Sequence, residues 1–169
     1  MRIRPRFRAG TAVLLGFTQF LLGCALIDDC TYEERSVTGF NAVIENGEVI
    51  VRAQIVVAEN RGSVEWKSLD PDITGTLKGH VTSILLVNTV NASAQFAIPL
   101  DPPSSPAISS GGFIQRPGDT SPDLAGLYEM IASNLAVLQI TTDLPSRPSL
   151  TIPLTVTSKQ DWFRPQNCY

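Results

Sequence analysis

From residue 36 onward, apolar and polar positions mostly alternate with the two-residue period of β-strands. In 37–44, Phe40, Ala42 and Ile44 alternate with Asn41 and Val43. Glu45-Asn46-Gly47-Glu48 follows, and Asn-Gly is the strongest short hairpin signal because both central residues must take positive φ. The run 48–58 then places Val49, Val51, Ala53, Ile55 and Val57 on one face, with Arg52 and Gln54 on the other. Asn60-Arg61-Gly62 breaks that run, and Val64 and Trp66 alternate with Glu65 and Lys67. Asp70-Pro71-Asp72 reads as a turn. Further strands are expected in 76–88, which contains His80, in 94–100, in 136–142 and in 150–156. Pro153 cannot donate to a ladder, so the last of these belongs at a sheet edge or at a bulge.

Two segments depart from this period. Residues 101–122, rich in Pro, Ser and Gly, read as a long surface loop. A helix is expected after it. Thr120 or Ser121 can cap it, Pro122 suits its first position and Asp123 suits its positive end. Leu124, Leu127, Tyr128, Ile131 and Leu135 follow at helical spacing, so one face would pack on a sheet. There is no internal repeat. The pattern predicts one mainly β domain over 36–169, an antiparallel β-sandwich of about seven or eight strands with one short helix.

The first 35 residues follow another logic. Residues 1–8 carry Arg2, Arg4, Arg6 and Arg8 and no acid. Residues 9–22 are a mostly apolar run, which suits an export signal and is short of the roughly 20 residues a spanning helix needs. No Arg-Arg pair occurs, so a twin-arginine route is not indicated. The run ends in Leu21-Leu22-Gly23-Cys24, which resembles the bacterial lipobox. The resemblance implies that residues 1–23 are a lipoprotein signal peptide, cut between Gly23 and Cys24. It also implies that the Cys24 thiol carries a diacylglyceryl group. Stable anchoring needs more than one acyl chain, each buried methylene contributing about 0.8 kcal/mol, and a diacylglyceryl group meets that need. Residues 24–35 would then be a lipidated, acidic tether. Ala25 follows the cysteine, where an aspartate retains lipoproteins in the inner membrane of enteric bacteria, so the outer membrane is favoured over the inner.

Charge and cysteine content sharpen the expectation. Setting aside the four signal arginines leaves nine basic against 16 acidic side chains, a formal net of −7. Nucleic-acid binding, which needs a basic patch, is disfavoured, and so is attachment to anionic lipid by charge alone. With Cys24 lipidated, Cys30 and Cys168 remain. An even remainder in an oxidising compartment reads as one disulfide, the alternative being two free or intermolecular thiols. A Cys30–Cys168 bridge would close nearly the whole domain and contribute roughly 5 kcal/mol in the chain-entropy picture.

The order of pieces in 36–156 resembles the chordin-type (CHRD) domain of many bacterial secreted proteins. Three stretches carry the likeness. They are Thr38-Gly39-Phe40 before a hairpin, Gly79-His80-Val81-Thr82-Ser83-Ile84-Leu85, and a helix over 122–134 followed by Val137-Leu138-Gln139-Ile140-Thr141-Thr142. The chain departs from that family's pattern. Leu85 and Thr141 stand near where its later histidines would fall, and its Gly-Glu-Ile-Arg-Gly close is missing from 145–152. The resemblance implies a β-sandwich, and any histidine-based metal site is not carried over.

Candidate chemistry is sparse. His80 is the only histidine, and a catalytic role would require a hydroxyl and a carboxylate beside it. Neither Gly-x-Ser-x-Gly nor Ser-x-x-Lys occurs. Asp70 and Asp72 could join Asp101 or Asp119 around calcium, but the spacing matches no known loop. Trp162 and Phe163, with Arg164, could form a ligand platform or cover the sheet edge, and packing beside a Cys30–Cys168 bridge is the favoured reading. Asn91-Ala92-Ser93 matches a glycosylation sequon by chance. The expected function is therefore a lipid-anchored cell-envelope protein with a non-enzymatic β-sandwich, binding or structural. No catalytic residue, metal or cofactor is assigned, and the protein or small-molecule partner is open. The alternatives are a periplasmic module for a small apolar or lipid ligand, with the apolar faces of 48–58 and 80–88 lining its cavity, and a hydrolase using His80.

Overall fold

A computed structural model describes residues 32–62, 65–120 and 123–164. The expectations for the 1–23 signal, the Gly23–Cys24 cleavage site, Cys24, Cys30, Cys168, Val64, Ser121 and Pro122 lie outside the described residues. Within them the chain forms nine strands and one short helix. In order these are β1 (Glu33–Glu45), β2 (Glu48–Arg61), β3 (Trp66–Thr74), β4 (Val81–Asn88), β5 (Gln95–Ile98), β6 (Phe113–Gln115), α1 (Leu127–Ala132), β7 (Ala136–Thr142), β8 (Ser149–Pro153) and β9 (Thr155–Phe163). A five-stranded sheet, ordered β6-β3-β2-β1-β9, packs on a four-stranded sheet, ordered β5-β4-β7-β8, and every strand pairing is antiparallel. This is the expected mainly β sandwich.

The core is made by alternate residues of both sheets. Val51, Ala53, Ile55 and Val57 of β2 meet Ile84 and Leu86 of β4 and Leu138 and Ile140 of β7, all buried in one cluster. The apolar face of 48–58, and Ile84 and Leu86 of 80–88, therefore pack into the core. Burial of a branched aliphatic side chain of this kind stabilises the fold by roughly 1.5–3 kcal/mol.

The β1–β2 hairpin turns at Asn46 and Gly47, both at positive φ (51° and 81°), as the Asn-Gly pair predicts. One residue is inserted beside the tip, because Val43 pairs with Val51 while Ile44 pairs with Val49. That bulge takes Val49 out of the buried row and leaves Ile44 and Val49 exposed. Gly75 lies against it at φ 147°, where a Cβ would come within 2.2 Å of the Ile50 carbonyl oxygen.

Several boundaries differ from the sequence reading. Asp70-Pro71-Asp72 is not a turn but the middle of β3, paired with Val56, Ile55 and Gln54. Pro71 is tolerated because of which way its nitrogen faces. The Ile73 amide donates to the Ser109 carbonyl, away from β2, and Pro71 two residues earlier faces the same side. His80 sits in the turn before β4, which begins at Val81. The 101–122 loop contains β6 and buries Ala107, Ile108 and Ser109. The tether ends sooner than expected, since Glu33, Glu34 and Arg35 already pair with β2. The run 150–156 is split. β8 ends at Pro153, as the edge of its sheet, and Leu154 carries the chain across to β9 in the other sheet.

The helix is shorter than 122–134. Gly126 at its start is left-handed (φ 78°), and the Asp123 carboxylate accepts the Ala125 amide instead of capping a helix. Leu124, Leu127, Tyr128 and Ile131 are nonetheless buried, as the spacing predicts. The C-terminus closes in a Schellman pattern. Asn134 takes φ 55°, its amide donates to the Ile131 carbonyl, and the Leu135 amide donates to that of Met130.

Candidate binding grooves and the chemistry around them

At one end of the five-stranded sheet, Asn60 of β2 lies directly opposite Trp66 of β3. Facing strands put such a pair on one side of the sheet. Beyond β6 the chain folds into a turn beside them. Asp119 Oδ2 accepts the Arg116 amide at 2.8 Å, the Asp119 amide donates to the Arg116 carbonyl, and Gln115 Nε2 donates to the Asp119 carbonyl. Gln115 Oε1 also accepts the Leu124 amide, which fixes the turn to the segment leading into α1.

Between that turn and the strand ends runs a groove of about 360 Å³. Its walls include Asn60, Arg61, Trp66, Lys67, Arg116 and Asp119. Glu65 and Asp123 add carboxylates, so both signs of charge stand on the rim. Among the described residues Glu65, Lys67 and Arg116 make no ion pair. Asn60 is 7% exposed, and its Oδ1 is buried without a hydrogen-bond partner among the described residues. Buried polar atoms are nearly always satisfied, and among the described residues this atom shares its lack of a partner with Ser109 Oγ.

A second cleft, of about 580 Å³, lies between the turn before β4 and the loop after β5. Val81, Leu100, Pro103, Ala107 and Ile108 make it largely apolar. Lys78 at its rim donates to the Ala107 carbonyl. Asp101 accepts from Ser105 Oγ, Ser110 Oγ and the Ser110 amide. The Ser110 and Ser105 hydroxyls hold its carboxyl below the usual aspartate range.

A third cluster lies beneath α1. Arg35 forms ion pairs with Glu59 at 2.6 Å and with Glu129 at 2.7 Å. Its guanidinium lies 3.9 Å from the Tyr128 ring centre and 4.8 Å from that of Trp162. Arg61 covers Trp162 at 4.1 Å and donates to the carboxylate of Glu33, its ion partner. Aromatic rings and cations thus alternate as Tyr128, Arg35, Trp162, Arg61. Burial opposes the charge on Arg35, but its bonds to Glu59 and Glu129 outweigh that and raise its pKa. Burial, then the Asp161 carboxylate, pushes the Tyr128 phenol up. Trp162 and Phe163 belong to edge strand β9, with Trp162 against Arg35 and Arg61, and their expected packing beside Cys30 and Cys168 involves residues outside the described ones.

The other sequence candidates are placed as follows. His80 Nδ1 meets Asp143 Oδ1 at 2.9 Å, with both side chains about half exposed. That supplies two members of a hydrolytic triad, but among the described residues no Ser or Thr hydroxyl bonds the His80 ring. Asp70 and Asp72 sit exposed on β3, Asp101 is held by its serines and Asp119 by its own turn. No group of three or more metal-ligating side chains forms among the described residues. Sequence reasoning missed the groove at Trp66. Its one local signal was Pro117-Gly118 after Arg116, a turn that brings a charged residue back over the strand ends.

Compared with known proteins, the chain matches no protein-family model, no curated protein sequence and no solved structure.

Proposed function

We propose that this protein is a lipid-anchored cell-envelope protein, held by Cys24 on the outer membrane in preference to the inner. Its β-sandwich is a non-enzymatic binding module. The anchor rests on the Leu21-Leu22-Gly23-Cys24 motif and the arginine-rich, then apolar, segment before it. The chordin-type likeness of 36–156 adds the expectation of a secreted β-sandwich. The binding role is carried by one observation. The groove beside Trp66 gathers an indole, the side chains of Glu65, Lys67 and Arg116, and an Asn60 Oδ1, all without partners among the described residues, at one sheet end. Sites with a few convergent polar groups on a rigid scaffold are the usual form of a binding pocket.

The test has two arms. Fractionation of cells bearing Cys24→Ser should find the protein unprocessed or out of the membrane fraction, and normal processing and retention would contradict the anchor. Titration of the full protein in detergent with solubilised envelope material should change Trp66 emission, read in a Trp162→Phe background. No change with any envelope fraction would contradict the binding role.

A second reading is favoured by the apolar cleft at Val81, Leu100 and Ile108, whose volume suits a small apolar or lipid ligand. Native mass spectrometry with a retained apolar ligand, lost in Leu100→Asp, would select it.

A further inference from the structure

We infer that the groove beside Trp66 takes an uncharged, hydroxyl-rich saccharide. This rests on the binding role proposed above and names its ligand class. Among the described residues Trp66 and Pro117 are the apolar side chains that line the groove, and the other side chains there are polar or charged, so these walls suit a polar ligand better than the aliphatic anchor of a peptide. A peptide could instead add as a strand, but β3 is already paired there. Lys67, Ser68 and Leu69 face Gln115, Ile114 and Phe113 of β6.

The charges argue next. Arg61, Lys67 and Arg116 stand against Glu65, Asp119 and Asp123, and Arg61 is already paired with Glu33. A rim so balanced does not select an anion or a cation, because either meets like charge as well as opposite charge. It does offer donors and acceptors side by side. Every sugar hydroxyl is both donor and acceptor, so such a ligand can satisfy both kinds of wall at once.

Two further features fit. Half-buried Trp66 supplies an indole whose apolar face suits the C–H face of a pyranose ring. Asn60 Oδ1 on the same wall lacks a donor among the described residues, and a hydroxyl is one. The Arg116–Asp119 turn is held by its own hydrogen bonds, so the wall is already formed before a ligand arrives.

The experiment is a titration of the full lipidated protein in detergent, monitored by the Trp66 indole N–H in a heteronuclear NMR spectrum. The probes are maltotetraose, tetra-N-acetylchitotetraose, tetragalacturonate and a tetraglutamate peptide. At least one of the two uncharged saccharides should shift the Trp66 resonance and leave that of Trp162 in place. Trp66→Ala should weaken binding about tenfold or more, and Arg116→Ala, an exposed change that leaves the strands intact, should weaken it as well. A shift with tetragalacturonate or tetraglutamate alone would overturn the ligand class while leaving the binding role standing. No shift with any of the four, while solubilised envelope material still changes Trp66 emission, would overturn the saccharide in the same way.

Discussion

Arg35 and Glu59 face each other across β1 and β2, and Arg35 Nε donates to Glu59 Oε2 at 2.7 Å. The Glu59 side chain is only 8% exposed, so Arg35 is its hydrogen-bonding and ionic partner in place of water. Removing one member of a buried pair strands the other, which is far costlier than removing both. Arg35→Met should therefore destabilise the fold by about 3 kcal/mol in urea unfolding. The double change Arg35→Met with Glu59→Leu should recover most of that loss. A single variant as stable as the parent would show that the pair is not structural. Glu129, exposed on α1, should matter much less, by under about 1 kcal/mol.

Asn134 ends α1 with φ 55° and uses Oδ1 to accept the Val156 amide, joining the helix end to β9. Asn134→Ala loses the bond and keeps the unfavourable backbone, so it should cost about 2 kcal/mol. Asn134→Gly loses the bond but relieves the backbone, so it should cost about 1 kcal/mol or less. Thermal unfolding of both variants checks the order, and equal losses would deny a backbone contribution.

Gly75→Ala should be among the most damaging small changes in the chain. Its Cβ would lie 2.2 Å from a backbone oxygen that cannot swing aside, and the residue sits at φ 147°. A loss above about 3 kcal/mol, or failure to fold, is expected. Gly47→Ala, with open space around it at φ 81°, should cost only about 1 kcal/mol in the same assay.

Asp101 titrates below its ordinary range because Ser110 and Ser105 donate to its carboxylate. A carboxyl whose folded pKa is lowered contributes stability above its unfolded pKa and loses it as pH falls through the folded value. The Asp101 carbon resonance should thus titrate below that of an exposed aspartate, and Ser110→Ala should move its midpoint upward. Asp101→Asn should flatten the acid limb of stability. A midpoint at or above the ordinary value would contradict the anchoring of this loop.

The sandwich was legible because β1, β2, β4 and β7 each bury one face, and Asn46-Gly47 fixed the first hairpin. β9 was not, since both faces of Thr155–Phe163 are mostly exposed and leave no apolar row to read. Pro71 and its flanking aspartates imitate a turn, and only the direction of the neighbouring amides makes them a strand. Gly126 shortened the helix while its buried side chains kept their places. The ionic cluster was invisible, because Arg35, Glu59 and Glu129 meet only after three separate elements fold together. The groove was hidden for the same reason, with Trp66 and Arg116 brought together only by the pairing of β3 with β6.

The central claim is that this sandwich is tethered to a membrane by lipid on Cys24. It is tested most directly by intact mass on protein purified from its native membrane, with and without reductant. A tethered protein should show loss of residues 1–23, added acyl chains, and the small mass gain on reduction that one Cys30–Cys168 disulfide brings. A mass with residues 1–23 retained, or with no lipid, would contradict it.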